Sequence, residues 1–333
     1  GVSTINLAEI PLHAFSSIQV WRTVPPARLM SSSIGGAINL TPKTNGYSAS
    51  ISAGSFGWKR AELVHAKQSK TPTLFFLNGY HANGNYPYFD NNATLYNVLD
   101  DQIRHRTNNQ KFQGTTLGTI KLNKIQALYS GLYRKHGIPG SIAMRTDQTA
   151  FRVNQHLLNA RWTETRSSSH HQLNAWFVLR NELYRDPLGE FPSGAQETES
   201  LFTTIGARGQ SAFSFSSFWS TSIGFSGRFE RLQQNQIPAL DAQDHTRGVA
   251  KIQFNASRIT PNLECLFFLQ EAWILETQHT TQLNPRLSFI KKYARSKMWV
   301  QTSRGFRPPD FTERFGQTGV ILPNPDLRPE SSW

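Results

Sequence analysis

The sequence predicts an all-β fold of long antiparallel strands, from its composition and from the period of its hydrophobic pattern. Of its 333 residues, 38% are hydrophobic and 12% aromatic, but only 17% are charged, which is below the roughly one quarter that is usual. Ser, Thr, Asn and Gln supply the remaining polarity, as is common in β-rich chains. The 22 Phe, 8 Trp and 9 Tyr exclude a disordered chain. No stretch keeps helical i, i+3, i+4, i+7 spacing over three turns.

Alternation at period two is clearest in residues 47–54, 124–134, 219–230 and 250–257. Each segment has one apolar face and one mainly polar face, although Leu128 and Leu132 interrupt the polar face of the second. Such a pattern fits a soluble sheet that turns its apolar face to a core. It also fits a membrane barrel that turns this face to lipid and encloses water.

Ile223, Phe225, Ile252 and Phe254 separate these two possibilities, because they share a dry core in the soluble fold and face outward in the barrel.

Strand length and loop length favour the barrel. The alternating segments run about 10 to 13 residues, and a tilted spanning strand needs about 9–11, whereas soluble strands average about 5–6. Short turns on one rim and long loops on the other are typical of outer-membrane barrels. We therefore predict an antiparallel transmembrane β-barrel with about thirteen strands in this chain. The short turns are expected at 67–72, 122–124, 164–170, 214–217 and 257–262, and the long loops at 82–110, 135–154, 184–200 and 231–247.

Several function classes are disfavoured by charge and by residue spacing. The net charge is +13, but the basic residues are scattered and lack interleaved stacking aromatics, so we expect no nucleic-acid partner. The single cysteine, Cys265, excludes a disulfide framework and a cysteine zinc site. The pair His170-His171 is expected in a solvated turn. No nucleophile elbow, phosphate loop or spaced carboxylate pair is present, so we expect neither an enzyme nor a cofactor.

The first 43 residues lack the barrel alternation and contain I-Q-V-W-R at 18–22, P-P-A-R at 25–28 and I-G-G-A-I-N-L at 34–40. This succession resembles the end of the plug domain in TonB-dependent outer-membrane receptors, although Thr23-Val24 stands where many members have Gly-Pro. The resemblance implies that residues 1–43 are the carboxyl-terminal part of a plug. Residues 44–333 would then be the amino-terminal and middle part of the barrel. The plug motif comprises Pro25, Arg28, Gly35, Gly36 and Asn39.

A second resemblance to the same family lies near the carboxyl end. The stretch S-R-G-F-R-P-P-D-F-T-E at 303–313, followed by N-P-D-L-R-P-E at 324–330, is similar to a motif that lies on a barrel strand and the external loop after it. The residues that carry this barrel motif are Arg307, Pro308, Glu313, Asn324, Pro325 and Glu330.

The resemblance also implies a larger barrel than this chain supplies. Plugged transporters have 22 strands, so about 13–14 strands would be present here and the barrel would stop before closure. An unclosed sheet has edges that lipid cannot satisfy. We therefore expect that the chain is part of a longer protein and neither inserts as a working barrel nor transports when made alone.

For function, the resemblance implies active uptake of a metal chelate of the siderophore–iron or cobalamin class. The expected partners are outer-membrane lipid, the inner-membrane TonB energy-coupling complex and the metal-chelate ligand. Two alternatives stay open: a passive porin or adhesin-type barrel, which would lack the plug segment, and a soluble, basic, all-β binding protein.

Specific residues follow from the same resemblance. Arg22 corresponds to a plug arginine that pairs with a barrel glutamate, for which Glu62, Glu264 and Glu271 are candidates; alternatively, Arg22 simply faces water in the lumen.

Contacts to the chelate are expected in the loop at 82–110. There, Tyr86, Tyr88, Phe89 and Asp90 would grip an aromatic chelate, and Arg104 and Arg106 would meet its negative charge. The alternative is that these six residues only order the loop. A calcium loop built on Asp90, Asp100 and Asp101 is disfavoured because the required Asp-x-Asp-x-Asp-Gly spacing is missing.

Overall fold

The computed structural model describes residues 10–21, 36–92, 94, 96–141, 144–191, 194–237, 243–276, 280–316 and 324–333. These residues form nineteen strands, two 3-10 turns (Leu12–Ala14 and Ser55–Gly57) and one short helix, α1 (Phe311–Phe315). Within this described part of the chain, no helix is both long enough and apolar enough to cross a membrane.

Thirteen strands form one sheet in which each strand pairs antiparallel with the next one along the sheet. The two edges of this sheet are its first and last strands, so the sheet is open. Its strands are β3 (Gly46–Ala53), β4 (Lys59–Lys67), β5 (Thr73–Ala82), β8 (Lys111–Leu122), β9 (Ile125–Gly137), β10 (Ala150–Thr165), β11 (Ser169–Asp186), β12 (Gln196–Ser214), β13 (Trp219–Ile237), β14 (Gln243–Ile259), β15 (Leu263–Leu275), β16 (Thr280–Lys292) and β17 (Lys297–Ser303).

Three two-stranded ladders accompany the large sheet. The first joins segments near the amino terminus, the second is a hairpin within the loop after β5, and the third lies near the carboxyl terminus. They are β1 (Phe15–Trp21) with β2 (Ala37–Pro42), β6 (Pro87–Asp90) with β7 (Gln102–His105), and β18 (Gly305–Arg307) with β19 (Glu330–Ser332).

The two faces of the large sheet have the polarity predicted for a membrane barrel. Ile223, Phe225, Ile252 and Phe254 are 51%, 57%, 45% and 44% exposed, so they do not share a core. Polar side chains between them on the same strands point to the other face and are buried, as Gln253 shows. We call the exposed apolar side the outer face and the polar side the inner face. The all-β barrel fold is thus confirmed.

The connections alternate between the two ends of the sheet as predicted. One end carries tight turns, at 68–72, 123–124, 166–168, 215–218, 260–262 and 293–296. The other carries the connections 54–58, 83–110, 138–149 and 187–195, and β13 and β15 end there while β14 and β16 begin there. We call the second end the loop-bearing end.

The expected strand length is wrong for the middle of the sheet, because β10 to β14 span 16 to 19 residues rather than 10 to 13. Consequently, much of the predicted loops at 184–200 and 231–247 is strand. Polar pairs between neighbouring strands extend the ladder beyond the apolar band. Asn181 donates to Glu199 at 2.7 Å, and Arg231 donates to Asp244 at 2.9 Å.

Two segments cover parts of the inner face. Near the amino terminus, fully buried Ala14 packs on Val64 and Phe76, and Leu128 of β9 contacts the same cluster. Near the carboxyl terminus, Phe311 of α1 packs on Phe202 and Leu232. The inner face is therefore apolar where a segment lies on it and polar elsewhere.

Candidate functional site

The amino-terminal segment contacts the inner face through a polar cluster as well as through Ala14. His13 Nδ1 hydrogen-bonds to the buried Glu62 carboxylate, which also accepts bonds from Arg60 at 2.5 Å and from Asn78 at 3.4 Å. The Lys43 N–H donates to the Ala14 carbonyl at 2.9 Å, which ties the residue just after β2 to the residue just before β1. Glu62 is therefore a junction between the segment and the barrel wall.

The plug motif is only partly described. Pro25, Arg28 and Gly35 lie outside the described residues, as does Arg22. Gly36 has φ +116°, a conformation that glycine adopts without strain, and it leads into β2. Asn39 of β2 donates to the Gln19 side chain of β1 at 3.2 Å, which ties the two strands together. The assignment of residues 1–43 to a plug stays a prediction.

The three candidate partners of Arg22 occupy different surroundings. Glu62 is on the inner face, as described above. Glu264 accepts a hydrogen bond from Lys292 near the short-turn end. Glu271 pairs in register with Ile252 and lies between the buried Gln270 and Ala272, so it is on the outer face, away from the covering segment. Which of the three glutamates pairs with Arg22 stays a prediction, because Arg22 lies outside the described residues.

The hairpin β6–β7 projects from the loop-bearing end and holds most of the predicted ligand contacts. Buried Asp90 forms an ion pair with Arg104 at 3.0 Å and accepts the Asn92 N–H at 3.0 Å. Arg106 donates to the carbonyl of Gly140 in the next loop. Both arginines therefore make contacts within the protein's own loops.

The aromatic members of that set are arranged differently. The Tyr88 hydroxyl is buried and finds no hydrogen-bond partner among the described residues. Phe89 is 60% exposed, and the ring of Tyr86 lies edge-on to Phe56 with centroids 5.7 Å apart. Ligand contact stays a prediction for all six residues, and Tyr86 and Phe89 have the accessibility that it requires.

A carboxylate clamp joins the loops at 138–149 and 187–195. Glu190 accepts the backbone N–H groups of Asp147 at 2.5 Å, Gln148 at 3.1 Å and Thr149 at 2.9 Å, and the Thr149 hydroxyl at 2.6 Å. Burial raises the pKa of Glu190, but the bonds from Thr149 and the three N–H groups outweigh it, so the pKa is below its usual value. Asp186 accepts the N–H of Glu190 at 2.8 Å, which fixes the clamp to the end of β11.

The barrel motif near the carboxyl terminus forms an ion network. Arg307 donates to both carboxylate oxygens of Glu313 at 3.0 Å and to Glu330 at 3.1 and 3.2 Å. The bonds to Glu313, followed by those to Glu330, raise the pKa of Arg307, and the bonds from Arg307 lower the pKa of Glu313. Asp310 caps α1 in a capping box with Glu313. The spacing of Arg307, Glu313 and Glu330 in the motif is therefore explained by one clamp, in which the arginine binds both glutamates.

The remaining motif residues lie beside this clamp. Pro308 follows Arg307 directly, and the carbonyl of Pro325, next to Asn324, accepts two bonds from Arg314 at 3.0 and 3.1 Å. The resemblance implies that this motif lies on a barrel strand and an external loop. Instead, the chain leaves the sheet after β17, and Phe306 packs against the inner-face residues Ala272 and Ile274.

A buried ion pair within the wall holds the carboxyl-terminal cover through its arginine. Arg247 of β14 donates to Glu230 of β13 at 2.7 Å, and both side chains are only 3% exposed. Arg247 also donates to the Pro309 carbonyl at 2.5 Å and lies over the Phe311 ring, 4.9 Å from its centroid. Sequence reasoning missed both residues, although their positions on polar faces of alternating strands were a usable signal. It also missed Glu190, for which the sequence offers no signal.

Within the described residues, no group of three or more His, Cys, Asp or Glu is arranged to hold a metal ion. Hydrogen bonds and ion pairs are distributed over the inner face and the loops.

Several solved structures have a similar architecture. The chain is similar to the copper transporter OprC, at 10% identity and a TM-score of 0.72, covering 97% of this chain and 56% of that one. It is also similar to the FrpB iron transporter from Neisseria meningitidis (F3-3 variant), at 11% identity and a TM-score of 0.65, covering 89% of this chain and 53% of that one. A third similar structure is a double mutant of the Serratia marcescens hemophore receptor HasR in complex with its hemophore HasA and heme. Its identity is 13% and its TM-score is 0.65, and the match covers 96% of this chain and 56% of that one.

At these identities the likeness concerns the fold alone, and the chain spans about half the length of these proteins. A search among curated proteins found no match. The family model described as "TonB dependent receptor-like, beta-barrel" matches residues 31–333, which is most of the chain. The chain therefore belongs to the family of TonB-dependent receptors.

Proposed function

We propose that this chain acts, within the outer membrane, in the active uptake of a metal chelate of the siderophore–iron or cobalamin class. TonB-dependent receptors are transporters rather than enzymes. The printed names of the similar structures include iron and copper transporters and a hemophore receptor with heme. These names support a metal-containing cargo and leave its identity to experiment.

One observation carries the proposal: a segment of the chain covers the inner face of the barrel wall. Residues 12–15 bury Ala14 against the wall and join Glu62 through His13. A polar lumen with a cover inside it requires a step that displaces the cover before cargo passes. We infer that residues 1–43 belong to this cover, that residues 44–333 form the wall, and that the TonB complex of the inner membrane supplies the energy.

The rim of the barrel is suited to binding the cargo before this step. The loops at 83–110, 138–149 and 187–195 are tied to each other by Arg106, Asn108 and Glu190. Loops ordered in advance lose less conformational entropy when a ligand binds. Exposed Phe89 and Tyr86 provide aromatic surface at this rim.

Uptake with and without energy tests the proposal. Cells with the protein in its native outer membrane are given radiolabelled ferric siderophores or cobalamin, with or without a proton-gradient uncoupler. We expect surface binding in both conditions and accumulation only without uncoupler. Uncoupler-insensitive entry of small solutes would indicate a passive porin, and attachment to surfaces without accumulation of any chelate would indicate an adhesin.

A further inference from the structure

The outer face carries two adjacent cations at the loop-bearing end of the sheet. Lys135 of β9 and Arg152 of β10 are direct register partners, and both are exposed. The side chains of directly opposed residues start about 4.5–5.5 Å apart, and like charges in this arrangement destabilise a sheet. Their pairing therefore calls for an anion near both.

The part of the chain that the structure describes does not pair an anion with either side chain. Among the described residues, the ion pairs involve neither Lys135 nor Arg152, and their other register partners on the outer face are Phe112 and Leu183. Other outer-face arginines near this end have carboxylates of their own.

Arg185 pairs with Glu197 at 2.6 Å, and Arg231 pairs with Asp244 at 2.9 Å. The absence of an acid beside Lys135 and Arg152 is thus a local property rather than a general one of this rim.

The depth of the pair identifies the source of the anion. On their strands, Lys135 and Arg152 lie ten positions from Ile125 and Trp162, which are register partners at the short-turn end. At about 3.3 Å per residue and a strand tilt of about 40°, ten positions correspond to about 25 Å of depth. The apolar band of such barrels is also about 25 Å tall.

An aromatic pair marks the same level. Tyr133, two residues before Lys135, lies edge-on to Phe112 with ring centroids 5.9 Å apart on the outer face. Aromatic girdles flank the apolar band at both of its borders. The cations therefore lie just beyond the hydrocarbon, at the level of lipid head groups.

We propose that Lys135 and Arg152 together bind a phosphate group of the lipid in the leaflet at the loop-bearing end. Arginine donates two parallel bonds to phosphate, and lysine adds a point charge. A phosphate between the two side chains replaces their repulsion by two attractions. In an outer membrane, the phosphorylated lipid of this leaflet is lipid A. The inference rests on the proposed outer-membrane location but not on the cargo.

Lipid titration tests this proposal. The protein is extracted from its native membrane in mild detergent, and binding of diphosphorylated lipid A is measured by native mass spectrometry. We expect the double variant Lys135→Gln/Arg152→Gln to bind about tenfold more weakly. Each charge-assisted bond contributes about a factor of ten when it is shielded from water, and solvent screening at this exposed site reduces the combined effect to about that size. Lys135→Arg should retain binding.

The matched control is Arg185→Gln/Arg231→Gln, which removes the same charge from the same rim where acids are already present. Circular dichroism melting confirms that both double variants are folded. Equal lipid binding by the first double variant and the unmodified protein would overturn the proposal. An equal loss of lipid binding in the control double variant would also overturn it. The same holds if dephosphorylated lipid A binds as tightly as the diphosphorylated form, or if equimolar inorganic phosphate displaces the lipid. This experiment does not measure chelate uptake, so failure of the lipid proposal is distinguishable from failure of the proposed cargo.

Discussion

The Glu190 clamp gives a sharp test of how the loops at the rim are ordered. Replacing Glu190 with Ala removes the acceptor for four donors: three consecutive backbone N–H groups and the Thr149 hydroxyl. Since these donors return to water when the clamp opens, each bond contributes a net of about 0.5 kcal/mol at this partly exposed site. The four bonds therefore stabilise the closed arrangement by about 2 kcal/mol, or about thirtyfold in the opening equilibrium.

Hydrogen–deuterium exchange of the backbone amides at 147–149 measures this opening directly. We expect the Glu190→Ala variant to exchange about thirtyfold faster at these amides, with no change in the strands of the sheet. The control is Asp147→Asn, because this neighbouring carboxylate accepts one side-chain bond, from Thr107 at 3.1 Å, outside the clamp. Unchanged exchange in Glu190→Ala, or equal acceleration in Asp147→Asn, would refute the clamp.

The clamp also has a defined pH dependence. Because the pKa of Glu190 is lower in the folded protein than in the open chain, its contribution is fully present above the ordinary carboxyl pKa. It is lost as the pH falls through the lowered folded value. After correction for intrinsic exchange rates, acidification should therefore accelerate the three amides in the unmodified protein and leave Glu190→Ala unaffected. Acceleration of equal size in both proteins would assign the effect to another group.

Three further predictions concern the outer face, the inner cover and the carboxyl-terminal clamp. Phe225→Arg should destabilise the membrane-inserted protein by about 2–4 kcal/mol in urea unfolding, whereas Ser226→Arg, one residue along on the inner face, should not. Ala14→Leu should overpack the fully buried contact at a cost of about 1–3 kcal/mol, seen as earlier proteolysis of the amino-terminal segment with an intact barrel. Arg307→Ala should lower thermal stability by about 1 kcal/mol near neutral pH. It should also reduce the destabilisation on acidification that the lowered pKa of Glu313 predicts, because the part due to Arg307 is fully present above the ordinary carboxyl pKa and is lost as the pH falls through the folded pKa; the bonds from Asp310 retain the rest.

The faces of the strands were predictable because the side-chain period of a β-strand is two, and lipid and water demand opposite polarity. Departures from the alternation were informative too. Leu128 breaks the polar face of its segment, and in the structure it contacts the cluster around Ala14. An apolar residue on the polar face therefore marked where another part of the chain packs. The period-two pattern alone did not reveal this meaning.

Strand ends and loop contacts were less accessible to sequence reasoning. The predicted loop at 231–247 is mostly strand because polar pairs such as Arg231 with Asp244 continue the ladder without any hydrophobic pattern. The Glu190 clamp joins residues 41 positions apart, counted to Thr149, through backbone N–H groups that carry no residue identity. Contacts of this kind depend on the register of the two intervening strands, β10 and β11, so they follow from the fold rather than from local sequence.

The way in which the two covers are held bears on how they could be displaced. Each touches the wall through a few apolar side chains and through a hydrogen bond to a buried charged residue of the wall: His13 bonds to Glu62 at one, and the Pro309 carbonyl accepts from Arg247 at the other. Such a bond stabilises the covered arrangement only modestly, because the charged wall residue is hydrated once the cover departs. Removing one partner alone is costly, since the other charge stays buried. A cover attached in this way resists mutation at either side, yet it leaves the wall at low cost if water enters as it departs. This combination suits a segment that must be specifically placed and also released, as the proposed uptake requires of the amino-terminal cover.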